Sequence, residues 1–520
     1  MARNLSPKFN QYSKITNKVR EILYNIHKTP VRIPNVMGID NPVIDIKTQV
    51  SAYNNKQHIA KYQDVDALSL QRYFNNYTQV KDTWSKYTPG DKKDIFLGAA
   101  NLLENKYYDK MLAYTIAGQN KTIYEAEIDA ICELCDFLRF NVEYYEKILK
   151  KQPITPEYDS VVNLSEYNSL DGFTTAITPF NFTAIGGNLA TAPLLFGNSV
   201  LWKPSNNAIL SNHLFYEIML EAGLPRGILN FCPMEPEEFF NLVNNRNDLS
   251  AVLFTGSSSV FNDIYYQVAR RIHNRDNYTR LIGETGGKNF HFVDDTYREN
   301  LNYLADETVQ SAFGYSGQKC SACSILYLPE KYLEAFIPLL TRKINNFIDN
   351  TENYGLVNKR SFKKTKKTLK NLESDSEIDF LVTGEITDKE SYFVSPHVLL
   401  SRNHNHYVFN EEFFAPILAI YPYKESEKEK TLELCKSSNN YALTGAVFSQ
   451  DERWIINASN KLIHKTGNFY VNCRSTGSIV GNQPFGGSGK SGTNDKAGDV
   501  NLLYRLFNQR NLKINYDLSF

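Results

Sequence analysis

The chain has 520 residues, 42% of them hydrophobic and 22% charged, with 57 basic and 57 acidic side chains. That length predicts two to four domains with sizeable cores. Zero formal net charge argues against a nucleic-acid or membrane-surface role built on bulk charge.

The first twenty residues carry Arg3, Lys8, Lys14, Lys18 and Arg20 and no acid. They read either as a mitochondrial presequence or as a solvated amphipathic helix. Residues 62–86 and 92–151 read mainly as helix, the second beginning near Asp91 with Phe96, Ala99, Ala100 and Leu103 at helical spacing. The uncharged run 172–202 is long enough to span a bilayer. Its Pro179, Pro193, Asn181, Asn188 and Asn198 fit buried strand–loop–helix pieces better, so no membrane insertion is expected. From about residue 160 short apolar runs alternate with turns and helical stretches. Strands are expected at 173–177, 199–202, 229–231, 251–254, 290–293 and 325–328, then at 392–400, 417–421, 445–448 and 468–471. This alternation predicts parallel α/β architecture in two lobes with a cleft between them.

Seven cysteines make no disulfide scaffold and fit a reducing compartment. Cys132/Cys135 and Cys320/Cys323 lie too far apart for a zinc ribbon, and no H-x3-5-H follows either, so no metal is expected. Gly487-Ser488-Gly489-Lys490-Ser491-Gly492 matches G-x-G-x-x-G and ends like a P-loop. Pro484 stands where a P-loop needs its first glycine, and the 28 residues after Gly492 are too few for a following βαβ unit. A flexible or substrate-facing loop is expected there instead. A stronger anion-site candidate is the apolar run ending in Thr255-Gly256-Ser257, which leads into a helix from about Val260. It sets Ser257 and nearby N–H groups at a helix N-terminus, although a plain serine cap gives the same pattern.

Five segments then fall into one order. They are Thr178-Pro179-Phe180-Asn181-Phe182, Trp202-Lys203-Pro204-Ser205, Gly283-Glu284-Thr285-Gly286-Gly287-Lys288-Asn289, Gly317-Gln318-Lys319-Cys320 and Glu411-Glu412-Phe413-Phe414-Ala415-Pro416, with Cys320 lying 36 residues after Glu284. Together they resemble the aldehyde dehydrogenase superfamily over roughly residues 50 to 510. Four further segments resemble its Δ1-pyrroline-5-carboxylate dehydrogenase branch, which oxidises L-glutamate γ-semialdehyde to L-glutamate in proline breakdown. They are 180–190, 320–324, 475–481 and 491–496.

The resemblance implies an α/β aldehyde dehydrogenase fold. A Rossmann-like NAD-binding domain would take residues 1–155 and 173–289, and an α/β catalytic domain residues 290–480. Residues 156–172, as a β-hairpin, and 481–520 would bridge subunits of a homodimer or larger homo-oligomer. By resemblance Cys320 is the nucleophile, Asn181 an oxyanion donor and Glu284 the general base for thioester hydrolysis. Such chemistry needs a thiolate, preorganised donors and a carboxylate within reach of water. Cofactor contacts carry over to Thr178, Lys203, Gly256, Ser257, Glu412 and Phe414. Substrate contacts carry over to Phe182, Ser321, Gly477, Ser478 and Phe485, with Glu133 bordering the site. Cys323 reads as packing.

Asn206 replaces a glutamate that many members use to favour NAD over NADP, so NAD is the choice and NADP stays open. Cys473, where the family commonly has an acid, and the small loop Gly486-Gly487-Ser488-Gly489-Lys490 depart from the family pattern and predict a looser anchor loop. The family resemblance points to the mitochondrial matrix, with the cytoplasm as the alternative. An altered aldehyde specificity and a non-catalytic member remain competing readings, the latter opposed by the presence of Cys320, Glu284 and Asn181.

Overall fold

The computed structural model describes residues 2–37, 46–155 and 160–516. Residues 156–159 of the expected bridging segment and 517–520 of the tail lie outside the described residues.

Two sheets organise the chain. In the first, five parallel strands run in the order Leu229–Phe231, Val200–Lys203, Phe173–Ile177, Leu249–Thr255, Arg280–Glu284. Both faces are covered, which is why the strands read as continuous apolar runs. Ala251 and Leu253 face one apolar cluster, while Val252 and Phe254 face another. The chain order reverses between Phe173–Ile177 and Leu249–Thr255. That reversal opens a crevice beyond their carboxyl ends, where open α/β sheets hold ligands.

The second sheet has seven strands, from Asp379–Val382 through His397–Leu400, Ile417–Tyr423, Cys323–Pro329, Asn289–Val293 and Thr444–Phe448 to Asn468–Val471. Six are parallel, and Asp379–Val382 pairs antiparallel at one edge. Two further apolar clusters cover its faces. The stretch 172–202 is strand, helix Thr183–Thr191, a short 3-10 turn and strand. No helix among the described residues is long and apolar enough to cross a membrane.

Several expectations need correction. The strand Arg280–Glu284 went unpredicted because only Leu281 and Ile282 are apolar between a charged residue at each end. The helical stretch 92–151 is several elements. It is Pro89–Asn105, Tyr108–Gln119, Ile123–Glu127, a π-helical turn Ile128–Glu133 and Leu134–Leu149, with Asn120 in the left-handed region at φ 58°. Among the described residues Val161–Asn168 has no local hairpin partner and instead pairs antiparallel with the C-terminal strand Asn508–Asn515.

The N-terminal segment is docked rather than solvated. Backbone N–H groups of Lys8 and Phe9 each donate to Glu127 at 2.8 Å, and that of Leu5 to Asp136 at 2.9 Å. The Ala2 N–H reaches Glu143. Among the described residues of the first thirty the one helix is Asn17–Lys28, whose Val19, Leu23 and Ile26 are buried.

Candidate active site

The first sheet's carboxyl ends carry four of the expected cofactor residues. Thr178 follows Phe173–Ile177, Lys203 closes Val200–Lys203, and Gly256 and Ser257 follow Leu249–Thr255. Thr178 N–H donates to Lys203 O at 3.1 Å, and Trp202 Nε1 donates to Thr178 Oγ1 at 2.9 Å. Ser257 caps the helix Ser258–Arg270 by accepting from Val260 N–H at 3.4 Å. The Gly256 N–H is already spent on Glu284 O at 3.1 Å. Lys203 is 4% exposed, and burial pulls its ammonium down to about 8. No hydrogen bond from that ammonium reaches another described residue. Three residues on, the buried Oδ1 of Asn206 has no partner either. An orphaned ammonium and an orphaned acceptor beside the crevice suit the hydroxyls of a ribose, so these residues fit a dinucleotide.

Between the sheets lies a cavity of about 220 Å³, lined by Cys320, Glu284, Phe182, Ser321, Gly477, Ser478, Phe485 and Glu133. Eight of the residues singled out by sequence therefore meet in one place. Asn181 is 4% exposed, and its Nδ2 donates to Gln318 O at 3.1 Å. One amide hydrogen thus holds the Cys320 loop and the second is left over. Glu412 and Phe414 do not line this cavity. They border a smaller one of about 20 Å³ with Gly287 and Cys323. Glu412 Oε1 accepts from Gly287 N–H at 2.8 Å. A Cβ on Gly287 would lie 2.3 Å from Cys320 O, so this glycine is what lets the Glu412 side approach the nucleophile. Phe414 sits at φ 55° and packs edge-on against Phe180, with ring centres 6.0 Å apart.

The Cys320 loop is strained. Tyr315, Ser316 and Gly317 all lie in the left-handed region, at φ 54°, 54° and 69°. Such strain survives only where the surroundings over-determine it. Gln318 supplies much of that, accepting from Val357 N–H at 2.9 Å and donating to Tyr315 O and Gly355 O at 3.2 and 3.3 Å. Asn289 Nδ2 donates to Cys320 O at 2.7 Å and Ala322 O at 2.9 Å. Burial, with like charge from Glu284 and Glu412, pushes the Cys320 thiol up to about 12, against the pull of the Ser321 and Cys320 N–H groups. Cys323 is buried and donates to Ile325 O at 3.3 Å, as expected of packing.

Glu284 ends its strand inside a wrap of C-terminal chain. Gly487 N–H donates to Glu284 Oε2 at 3.3 Å, and Thr285 N–H donates to Ser491 O at 2.9 Å. Burial raises the Glu284 carboxyl well above the usual range, with Gly487 N–H and Lys496 opposing. The glycine-rich loop is pinned, not flexible. Ser488–Gly489 pairs with Tyr441–Ala442. Lys496 Nζ donates to Gly467 O at 2.7 Å and Gly486 O at 2.8 Å.

Gly477 turns at φ 85°, and Ser478 Oγ donates to Gln483 O at 2.5 Å. Burial pushes the Glu133 carboxyl up to about 8. Sequence reasoning missed Lys121, Glu125, Lys319 and Arg474, which line the same cavity. A usable signal was present: Lys121, Glu125, Asp129 and Glu133 recur every fourth residue, with Glu127 the one further charge between them. Asp375, Glu377 and His406 gather elsewhere on the surface. There His406 Nδ1 accepts from Val408 N–H at 3.1 Å and Nε2 faces Asp375 at 3.0 Å, so both ring nitrogens are engaged.

Comparison with known proteins agrees with this geometry. A model of the aldehyde dehydrogenase family matches residues 45–509. The chain is 40% identical over 498 residues to a probable delta-1-pyrroline-5-carboxylate dehydrogenase of Schizosaccharomyces pombe, covering 93% of this chain and 90% of the relative. It is 39% identical to the human mitochondrial delta-1-pyrroline-5-carboxylate dehydrogenase, covering 96% and 89%. Among solved structures it superposes on the Mycobacterium tuberculosis delta-pyrroline-5-carboxylate dehydrogenase bound with NAD, with a TM-score of 0.92 and 33% identity over 100% of this chain and 97% of that one.

Proposed function

The chain belongs to the aldehyde dehydrogenase family, and from that premise we propose how its residues carry the reaction. It is an NAD-dependent enzyme that oxidises L-glutamate γ-semialdehyde, the open form of Δ1-pyrroline-5-carboxylate, to L-glutamate in proline catabolism. The observation that carries the residue assignment is the single cavity in which Cys320 and Glu284 face Phe182, Ser321, Gly477, Ser478, Phe485 and Glu133.

Cys320 sulfur, as thiolate, adds to the aldehyde carbon. The uncommitted Asn181 amide hydrogen and the Cys320 N–H receive the resulting oxyanion. NAD, when bound, would supply the hydride acceptor, and loss of hydride from the adduct leaves a thioester on Cys320. Lys203 would hold the adenosine ribose of NAD, Ser257 its pyrophosphate with the bare Cα of Gly256 beside it, Thr178 would lie against the dinucleotide through its own backbone, and Glu412 and Phe414 would hold the nicotinamide end. The unpartnered Asn206 Oδ1 favours a ribose hydroxyl over a phosphate at that point, hence NAD over NADP. Glu284 then takes the proton of the water that cleaves the thioester, and the thiol is restored. Gly477 and Ser478 anchor the substrate carboxylate through their backbone, the Ser478 hydroxyl being engaged by Gln483 O, with Lys319 and Arg474 lining the same cavity. Phe182 and Phe485 flank its methylenes, and Glu133 borders its head group.

The assembly we propose is a homodimer or larger homo-oligomer. Its support is the ribbon of Val161–Asn168 and Asn508–Asn515, a two-stranded sheet whose outer edges take no other strand among the described residues. For the compartment we propose the mitochondrial matrix, supported by relatives that are named mitochondrial.

The test is NADH formation, followed by absorbance, with pyrroline-5-carboxylate, beside NADP and a plain aliphatic aldehyde. Turnover should need NAD and the amino-acid aldehyde. It should also rise with pH, because burial holds both the Cys320 thiol and the Glu284 carboxyl above their ordinary values and both work deprotonated. Equal rates with the plain aldehyde would sink the carboxylate anchor.

A further inference from the structure

Lys121, Glu125, Asp129 and Glu133 form a charged row through the helix Ile123–Glu127 and the π-helical turn Ile128–Glu133. π-Helical turns recur at functional sites, yet only Glu133 has a role in the mechanism above.

Asp129 is 0% exposed and takes three donors. Lys121 Nζ and Thr183 N–H reach its Oδ2 at 2.6 and 3.0 Å, and Ala184 N–H reaches its Oδ1 at 2.9 Å. Thr183 and Ala184 open the helix Thr183–Thr191, whose own cap position is Phe182. A helix start needs acceptors for its orphan N–H groups, and a phenylalanine side chain offers none. Position 182 is given to a cavity-lining aromatic, so the capping acceptor comes from a different segment. Lys121 neutralises that carboxylate. Its ammonium also stands 4.2 Å from the centre of the Phe182 ring and 4.9 Å from that of Tyr315. Phe182 follows Asn181, and Tyr315 opens the left-handed turn Tyr315–Gly317, three residues ahead of Cys320. Four residues on from Lys121, Glu125 Oε1 accepts from Tyr315 N–H at 2.7 Å.

We propose that Lys121 and Asp129 are positioning residues for the oxidation: they register the Asn181 loop against the Cys320 loop, so that the Asn181 amide stands where the oxyanion forms. The proposal rests on the roles given above to Cys320 and Asn181. The competing account is stability alone. Buried ion pairs can commonly be replaced by apolar pairs without loss of stability, and that separates the two accounts.

The experiment compares wild type, Asp129→Asn, Asp129→Glu and the double variant Lys121→Met/Asp129→Leu. It measures melting temperature, kcat and KM with NAD and pyrroline-5-carboxylate, hydrolysis of p-nitrophenyl acetate, and alkylation of Cys320 by iodoacetamide. Ester hydrolysis needs the oxyanion donors, whereas alkylation needs only the thiol. Asp129→Asn and the double variant are expected to lose about 10²-fold in both kcat and ester hydrolysis. Alkylation and KM for NAD should stay within about twofold. The double variant leaves no unpaired ammonium but still orphans the two cap N–H groups, so it is expected to melt between Asp129→Asn and wild type while its kcat stays low. Asp129→Glu keeps the charge but lengthens the reach by a methylene, and should lose about tenfold in kcat. It carries the test if Asp129→Asn does not fold. Recovery of kcat together with stability in the double variant overturns the proposal, as does full kcat in a folded Asp129→Glu. A wild type inert in both turnover assays overturns the site reading beneath it.

Discussion

The loops that bring Asn181 and Cys320 together reach order by opposite routes. The Cys320 loop stores strain, with three successive left-handed residues held by the side-chain amides of Gln318 and Asn289. The Asn181 loop stores none of that kind. Phe182 is extended at φ −137°, and its loop runs into a helix whose cap is supplied from another element by Asp129. One loop is stiff because its backbone is cornered, the other because a buried carboxylate grips its exit. A backbone change should therefore damage the first most, and a single side-chain change the second.

The largest effects come from the reacting atoms. Cys320→Ala should cut oxidation by about 10⁴-fold or more while titration with NAD gives unchanged affinity, and Asn181→Ala should cost about 10²- to 10³-fold in kcat. Oxidation surviving in Cys320→Ala would show that another group is the nucleophile. Next comes the strained backbone. Gly317 lies at φ 69°, and a Cβ there would sit 2.4 Å from Ala415 O. Gly317→Ala should destabilise the fold by about 2–4 kcal/mol in denaturant unfolding and depress kcat with it. An unchanged midpoint would mean that the loop is not cornered.

The smallest effect tests the unpaired member of the charged row. Glu133 rises from the ordinary carboxylate range to about 8, chiefly through burial. Its folded value lies above its unfolded one, so its contribution to stability is intact at acid pH and is lost as pH climbs through 8. Glu133→Gln should therefore melt a few degrees higher than wild type at pH 8.5, with the gain vanishing near pH 4.5. A gain that is flat with pH would show that Glu133 is not buried as a charge.

Where chemistry restricts residue type, the sequence was informative. The roles proposed for a thiol nucleophile, a carboxylate base and an amide donor leave few substitutes, and Cys320, Glu284 and Asn181 stood out with their surrounding motifs. Both sheets were also visible, because strands buried on two faces must be apolar throughout. What stayed hidden depends on distant partners. The pairing of Val161–Asn168 with Asn508–Asn515 leaves no local mark, and the strand that carries Glu284 is too polar at its ends to read as one. The loop after Pro484 looked loose because glycine permits motion. Here its glycines serve close approach instead: a Cβ on Gly487 would lie 2.6 Å from that of Ser491. Asp129 was invisible as a cap because the helix it caps begins 54 residues later.

The docking of the first residues has an evolutionary consequence. Glu127 and Asp136 hold that segment chiefly through main-chain N–H groups of Leu5, Lys8 and Phe9, which every residue but proline possesses. Selection acting there sees the path of the chain and hardly its spelling. Side chains can drift toward any composition, including the basic one found here, while the contact persists. Proline is tolerated between the anchors, as at Pro7, and is excluded only at Leu5, Lys8 and Phe9, whose N–H groups make the contact.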